Sequence, residues 1–269
     1  MRFNPYIFGG DLAGSVDITI DDSIASVLLN NPARRNAMTR SMWKELADAF
    51  TYLRDVRDIR AAIISGVEGN FAAGADISEF KEVRQSGQSA IEYDENTEAA
   101  LAAIESVPFA TIASIDGFCI GGGISIASAC DIRVSSESAK FRLPPARLAI
   151  SYPFDSLVRM VRIIGVANCK RMLLTADVLS AQSMGQLGFV EVVIEDVAAA
   201  ALGMAKRIAD NAPLSIHATK DILSAIEGEA SNSARVASNR QREVTLSSHD
   251  YAEALAAFIE KREPRFRGN

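Results

Sequence analysis

The chain has 269 residues, of which 48% are hydrophobic and 23% are charged. This composition is typical of a soluble globular protein with a sizeable buried core, and it argues against an intrinsically disordered chain. With 28 basic and 34 acidic residues the formal net charge is −6, whereas a sequence-independent nucleic-acid binder needs a positive surface. We therefore expect no nucleic-acid partner.

The cysteines and the N-terminal segment bear on location. Cys119, Cys130 and Cys169 form an odd set without the spacing of a metal site, so we expect reduced, buried thiols and no bound metal. Reduced thiols favour a cytoplasmic location. The first apolar run is too short for a signal peptide, and no stretch approaches the ~20 apolar residues of a membrane span. The sequence therefore predicts no membrane association.

The chain opens with strands and a helix. Two β-rich runs, 16–20 and 24–29, are separated by three polar residues and predict a hairpin. Thr39 is a predicted N-cap, because apolar residues recur at helical spacing after it. Residues 61–65 then predict a buried strand.

The same alternation returns further along the chain. A predicted strand at 109–115 precedes a helix at 122–130, and a strand at 132–135 precedes a helix that follows Pro153. Repeated βα or ββα units of this kind predict an α/β fold with right-handed crossovers.

The strand signal disappears after about residue 196. We predict an N-terminal tail (1–14), an α/β core (15–195) and a helical C-terminal region (196–269). The four predicted helices of that last region are 196–210, 213–227, 231–248 and 251–260. A helical appendage of this kind packs on its own core or on a neighbouring subunit.

Two glycine-bearing segments each follow a predicted strand. They are Phe-Ala-Ala-Gly-Ala-Asp-Ile at 71–77 and Gly-Gly-Gly-Ile-Ser at 121–125, and neither has the spacing of a phosphate loop or a dinucleotide fingerprint. A triple glycine that enters a helix lets backbone approach a ligand and directs free N–H groups towards it. Taken singly, the triple glycine is better explained by close packing of a helix against a sheet, and the first segment by a tight loop.

Together, and in this order, the two segments resemble the crotonase superfamily, also called the enoyl-CoA hydratase/isomerase family. The resemblance covers nearly the whole chain and implies a spiral of ββα units with a helical C-terminal region that trimerises, often into a hexamer of two trimers. The other matching segments are 29–32, 35–37, 116–117, 129–133, 174–176, 181–182, 188–190 and 258–262.

The resemblance implies an acyl-coenzyme A substrate and no permanently bound cofactor, since coenzyme A enters as part of the substrate. The main-chain N–H groups of Ala75 and Gly122 would stabilise the oxygen of a thioester enolate. The implied coenzyme A contacts are Arg35, Ala37, Ala73, Asp76 and Ile77, with Phe258 and Lys261 closing over the nucleotide from the same or a neighbouring subunit. For Lys261, an ordinary solvated charge is an equal alternative to this contact.

The sequence departs from the family's hydratases at both glutamate positions. These positions fall on Ser125 and Pro145, and no Asp or Glu lies between Asp116 and Asp131 or between Glu137 and Asp155. A shifted alignment therefore cannot restore the acids. Because hydration needs positioned acid–base groups, we do not expect efficient hydratase activity.

Asp155 is the nearest remaining carboxylate, and we predict it as the candidate catalytic acid or base. The alternative is that it caps the helix beginning near Ser156. Tyr152 and Arg147 are further polar candidates, because a phenol donates a hydrogen bond and a guanidinium clamps a carboxylate. Three hypotheses stay open: an enolate-forming lyase or isomerase, a catalytically silent acyl-CoA binding protein, and a hydrolase or decarboxylase.

Overall fold

The computed structural model of the protein describes residues 14–79, 87–227 and 232–269. All but the last residue of the predicted tail lies outside these ranges. Within them, no helix combines the length and apolarity that a membrane crossing requires.

The described strands form two sheets. The larger has the order β1-β2-β3-β4-β6-β9, and the smaller has the order β5-β7-β8. The pairs β1–β2 and β7–β8 are antiparallel, and the other pairs are parallel. The strands are β1 (Ser15–Asp21), β2 (Ile24–Asn30), β3 (Ala61–Gly66), β4 (Ala110–Ile115), β5 (Phe118–Ile120), β6 (Ile132–Ser135), β7 (Lys140–Arg142), β8 (Leu179–Ser180) and β9 (Val192–Val193).

The described α-helices begin after β2, and the four helices predicted in the C-terminal region are confirmed. The second helix was not predicted. The helices are α1 (Arg40–Asp55), α2 (Gly87–Glu105), α3 (Gly122–Ala129), α4 (Pro145–Leu148), α5 (Phe154–Thr175), α6 (Ala181–Gln186), α7 (Val197–Ala209), α8 (Pro213–Glu227), α9 (Asn232–Leu246) and α10 (His249–Glu260).

The strands from β4 to β7 alternate between the two sheets, which confirms the ββα repeat. Strand β4 lies in the larger sheet, β5 lies in the smaller one, and α3 follows; β6 and β7 repeat this order before α4 and α5. The glycine-bearing segment 121–125 spans the connection from β5 into α3, and the segment 71–77 follows β3.

Helix α1 forms as its sequence predicts. Thr39 is its N-cap, and the Thr39 side chain accepts a hydrogen bond from the backbone N–H of Met42 at 3.2 Å. Trp43, Leu46 and Phe50 recur at helical spacing and are fully buried. This face packs into the main core of the protein.

Helix α7 covers the outer face of the larger sheet. Val197, Ala201 and Ala205 on this helix pack against Ile63 of β3 and Ile112 of β4. The first helix of the predicted C-terminal region is therefore part of the packing of the α/β core. The predicted boundary at residue 195 comes directly after the last strand, whereas the packed core continues into α7.

The last three helices leave much apolar surface uncovered. Phe258 is 84% exposed and Ile259 is 78% exposed. Large exposed apolar side chains in this number favour a contact with another chain or element. Other large apolar side chains exposed on α8, α9 and α10 are Leu223, Ile226, Val236, Val244, Leu246 and Leu255.

We predict that Leu46→Ala lowers the free energy of unfolding by about 2–5 kcal/mol, because it deletes fully buried methyl groups and leaves a cavity. Lys44→Ala, at an exposed position of the same helix, is the control and should change stability by less than about 0.5 kcal/mol. Urea unfolding monitored by circular dichroism measures both. Equal stability of the two variants would contradict this packing of α1.

The three thiols are free and buried. Burial raises the pKa of Cys130 to about 12 and that of Cys119 well above its ordinary value. Because the thiolate is the reactive form, we predict that neither residue reacts with a disulfide reagent at pH 8 in the folded protein. Both should react after denaturation, and rapid labelling of the native protein at Cys119 or Cys130 would refute the prediction.

Candidate active site

The buried side-chain amide of Asn36 connects the loop after β2 to the loop after β3 by hydrogen bonds. The Asn36 side-chain oxygen accepts a hydrogen bond from the Asn31 N–H at 2.9 Å. Its side-chain nitrogen donates to the backbone oxygens of Val67 at 2.8 Å and Asn70 at 2.6 Å. These bonds fix the position of the chain that leads into Ala75.

Ala75 lies in an isolated parallel bridge opposite Met38. The Met38 N–H donates to the Gly74 oxygen at 2.7 Å, and the Asp76 N–H donates to the Met38 oxygen at 2.8 Å. Because successive amides of an extended chain point to opposite sides, the Ala75 N–H points away from Met38. Gly74 has a φ of 101°, a conformation that glycine adopts without a steric cost.

Gly122 is the first residue of α3, and Gly121, with a φ of 50°, is its N-cap. The N–H of a first helical residue has no acceptor within its own helix and carries part of the positive end of the helix dipole. A Cβ built on Gly122 would lie 3.6 Å from the Ala75 nitrogen. The Gly122 and Ala75 main chains are therefore close neighbours.

Both N–H groups remain available to a ligand. In the described parts of the chain, neither donates a hydrogen bond to another residue. Ala75 and Gly122 are half-buried, and both line one cavity of about 330 Å³. Two unengaged main-chain donors that line one cavity can stabilise a negative oxygen.

The structure brings some of the predicted site residues to this cavity. Among the predicted coenzyme A contacts, Ala73 and Ile77 line it. So do Ser125 and Pro145, which occupy the positions where the resemblance expected glutamates. The further candidates Tyr152 and Arg147 also line it.

The structure does not support the expectation for Asp155. This residue is exposed and does not border the cavity. The alternative capping role is also wrong, since α5 begins at Phe154, its N-cap is Pro153, and no side chain caps it. Pro153 does line the cavity, so the chain turns the side chain at 155 to the outside.

Three of the implied coenzyme A contacts lie beside the cavity lining. The Arg35 guanidinium stacks over the Phe118 ring at 4.8 Å, and Ala37 is buried. The Asp76 carboxylate accepts from the Arg34 guanidinium at 3.0 Å and from the Ser78 hydroxyl at 2.7 Å. Asp76 is therefore engaged both within its own loop, by Ser78, and by the loop after β2, through Arg34.

The two implied contacts near the C-terminus are also separate from the cavity lining. Phe258 is almost fully exposed at the end of α10. Lys261 is the C-cap of that helix, with a φ of 56°. Neither residue contributes to the cavity within this chain.

Helix α2 supplies cavity residues that the sequence analysis missed, namely Tyr93, Asp94 and Thr97. Asp94 is the one carboxylic acid among the described residues that line the cavity. The indole N–H of Trp43 donates to the Tyr93 hydroxyl at 2.9 Å, and a Cβ on Gly122 would meet the Trp43 ring at 2.9 Å. Tyr93 and Trp43 thus lie directly behind Gly122.

A buried ionic network anchors α2 to α5. The Ser156 hydroxyl, which lines the cavity, donates to the Glu98 carboxylate. Arg159 donates from Nη1 to Glu98 at 2.5 Å and from Nε to Glu105 at 2.7 Å. Because both of these α2 carboxylates contact the same guanidinium of α5, Arg159 ties the two helices together through charge-assisted hydrogen bonds.

Tyr152 places a phenol at the turn that precedes Gly122. A Cβ on Gly121 would lie 3.3 Å from the Tyr152 hydroxyl. Burial raises the pKa of Tyr152 well above its ordinary value, and the nearby Cys119 raises it further. Tyr152 therefore keeps its proton at neutral pH and can donate a hydrogen bond.

The comparisons with known proteins agree with this geometry. Residues 19–269 match the family model described as enoyl-CoA hydratase/isomerase. The chain is 33% identical over 253 residues to "Probable enoyl-CoA hydratase 2, mitochondrial" of Arabidopsis thaliana, covering 93% of this chain and 83% of the relative. It is 30% identical over 251 residues to the crotonyl-CoA hydratase of Syntrophomonas wolfei, covering 91% and 95%.

A solved structure shows the same fold. The enoyl-CoA hydratase/carnithine racemase of Magnetospirillum magneticum superposes with a TM-score of 0.91 at 34% identity, over 99% of each chain. The match extends across both sheets, the two glycine-bearing segments and the helical C-terminus. This chain therefore belongs to the enoyl-CoA hydratase/isomerase family, within the crotonase superfamily.

Proposed function

We propose that the protein is an enzyme that binds an acyl-coenzyme A thioester and stabilises the enolate formed at its α carbon. The observation that carries the proposal is the proximity of the Ala75 and Gly122 N–H groups at one cavity. Removing a proton α to a thioester, or adding a nucleophile across its double bond, moves charge onto the carbonyl oxygen. Fixed donors at that oxygen lower the barrier.

Asp94 is our candidate for the acid–base group. With Ser125 and Pro145 neutral, it is the one carboxylic acid among the described residues lining the cavity. Tyr152 is a neutral hydrogen-bond donor that also lines the cavity. A single carboxylate can transfer a proton at the α carbon, whereas efficient hydration also needs a second group that holds the water. We therefore favour a lyase or isomerase reaction through an enolate over hydration.

Two alternative functions would use the same cavity. A silent acyl-CoA binding protein is favoured by the neutral side chains at Ser125 and Pro145. A hydrolase or decarboxylase would take the missing charge from the substrate or from water. Binding of acyl-CoA without any chemical change in the tests below would favour the silent protein.

We also propose that the exposed apolar surface of α8, α9 and α10 is covered in a homotrimer or in a hexamer of two trimers. In that assembly Phe258 and Lys261 would close over the coenzyme A of the same or a neighbouring subunit. Arg35, Ala37 and Asp76 would contribute at the mouth of the cavity through the loops that hold Ala75. A cytoplasmic location remains part of the proposal.

Our first functional prediction concerns Gly122→Ala. The added methyl group meets the Trp43 ring at 2.9 Å and lies 3.6 Å from the Ala75 nitrogen, so it displaces a donor. We expect the rate of deuterium uptake at the α carbon of butyryl-CoA in D₂O to fall by about 10²–10³-fold, the cost of losing one oxyanion donor. Mass spectrometry measures the uptake.

Gly203→Ala is the matched control, because the new methyl group would make only an ordinary 3.7 Å contact with Arg207. It should exchange at the wild-type rate. Circular dichroism of both variants separates a local effect from misfolding. A well-folded Gly122→Ala protein with the wild-type exchange rate would contradict the role of these donors.

A second functional prediction compares two aspartates. We expect Asp94→Asn to lower the exchange rate, and the turnover of any productive acyl-CoA, by about 10²-fold or more, as expected for the loss of a general acid or base. Asp155→Asn should behave as wild type, since that side chain is exposed outside the cavity.

The substrate panel would contain enoyl-, hydroxyacyl- and carboxyacyl-CoA esters, with products followed by mass spectrometry. Loss of activity in Asp155→Asn together with normal activity in Asp94→Asn would reverse the assignment.

A further inference from the structure

Two guanidinium groups border the cavity, that of the half-buried Arg142 and that of the exposed Arg147, and neither has a carboxylate partner among the residues that the structure describes. Arg142 and Arg147 both line it. In the described parts of the chain the only bond of the Arg142 side chain is from Nε to the Ala176 oxygen at 2.7 Å, and the Arg147 side chain makes none. By contrast, the arginines that are buried in the described ranges are paired: Arg133 contacts Glu191, and Arg159 contacts Glu98 and Glu105.

Arg142 is fixed close to the donor turn. Its backbone oxygen accepts from the Gly121 N–H at 2.9 Å, and Ile120 is its partner in the β5–β7 pair. The bond to Ala176 restrains the side chain at Nε and leaves both terminal nitrogens of the guanidinium to bind a ligand. A restrained planar fork loses little entropy when it binds a second planar group.

Arg147 is held by a rigid element. It lies in the short helix α4, whose first residue is Pro145, and its backbone N–H donates to the Pro144 oxygen at 3.0 Å. The segment from Arg142 through Arg147 thus forms one wall of the cavity. This wall includes Pro145, one of the two positions where the family resemblance placed a glutamate.

The charge of the lining follows from these residues. Among the described lining residues the cations are Arg142 and Arg147 and the anion is Asp94, which leaves one excess positive charge. Two glutamates at Ser125 and Pro145 would have made the same lining negative. A cavity with unpaired guanidinium groups attracts an anion, and a carboxylate matches the guanidinium fork in shape and charge.

We propose that the acyl group of the substrate carries a second carboxylate, held by Arg142 and Arg147 while the thioester oxygen faces Ala75 and Gly122. This inference rests on the proposed acyl-coenzyme A site and specifies its substrate class as carboxyacyl-coenzyme A thioesters. The phosphates of coenzyme A are the other source of the same anionic chemistry, and the experiment separates the two.

The test compares three ligands by quenching of Trp43, the single tryptophan of the chain and a residue of the cavity wall. Glutaryl-CoA carries the terminal carboxylate, 5-methylhexanoyl-CoA replaces it with an uncharged group of the same shape, and free coenzyme A has no acyl group. We expect the wild-type protein to bind glutaryl-CoA at least about 10-fold more tightly than the uncharged analogue, as expected for a charge-assisted hydrogen bond.

Arg147→Gln, Arg142→Gln and the charge-reversing Arg147→Glu should each lower this affinity ratio, with the reversal bringing it below one. Arg171→Gln is the matched control, because Arg171 is an exposed arginine outside the cavity lining. It should keep the wild-type ratio. Circular dichroism establishes that each variant is folded.

Two outcomes overturn the inference while leaving the acyl-CoA site intact. One is a wild-type ratio near or below one. The other is an equal loss of affinity for free coenzyme A in the arginine variants, which would assign the guanidinium groups to phosphate. If none of the three ligands binds the wild-type protein, the proposed function fails as well, so the two failures are distinguishable.

Discussion

The site depends on how two loops are held against each other. The parallel bridges between Met38 and Ala75 and between Ala72 and Cys119 extend the pairing beyond the ends of the named strands. They place the segment containing Ala75 beside the turn that opens α3. Without this pairing, the backbone donors of two segments that are distant in the chain would not meet. The proposed stabilisation of an enolate oxygen therefore depends on backbone geometry and not on any one side chain.

We propose that the side chains around the donors give this protein a chemistry different from that of a hydratase with the two glutamates that the family resemblance implies. Ser125 and Pro145 keep their positions in the cavity but bring no charge. Asp94 on α2 contributes one carboxylate to the cavity lining. Arg142 and Arg147 make the net charge of the described lining residues positive. The fold is that of the family, and a different chemistry at the cavity is our proposal.

Much of the fold could be predicted from the sequence. The hairpin, α1 with its Thr39 cap and the C-terminal helices followed from local periodicity and capping, which act over a few residues. The donors Ala75 and Gly122 required the family resemblance, because no local pattern shows that two loops meet. Asp155 was misplaced because chain position alone does not tell which way a side chain turns at a helix start.

Helix α2 was the main omission. Tyr93, Leu101 and Ile104 are buried at spacings that fit a helix, and this signal could have identified the element. That it carries Asp94 into the cavity could not have been read from the sequence, since this depends on contacts with α5 made through Glu98, Glu105 and Arg159.

Pro144 and Pro145 form consecutive positions of the cavity wall without amide hydrogens. The main chain at these two residues therefore cannot donate a hydrogen bond to a ligand or to water in the cavity. We expect the donors on this wall to be the guanidinium groups of Arg142 and Arg147, which line it on either side of the prolines. A ligand held here would then be oriented by side chains and not by the prolines' main chain.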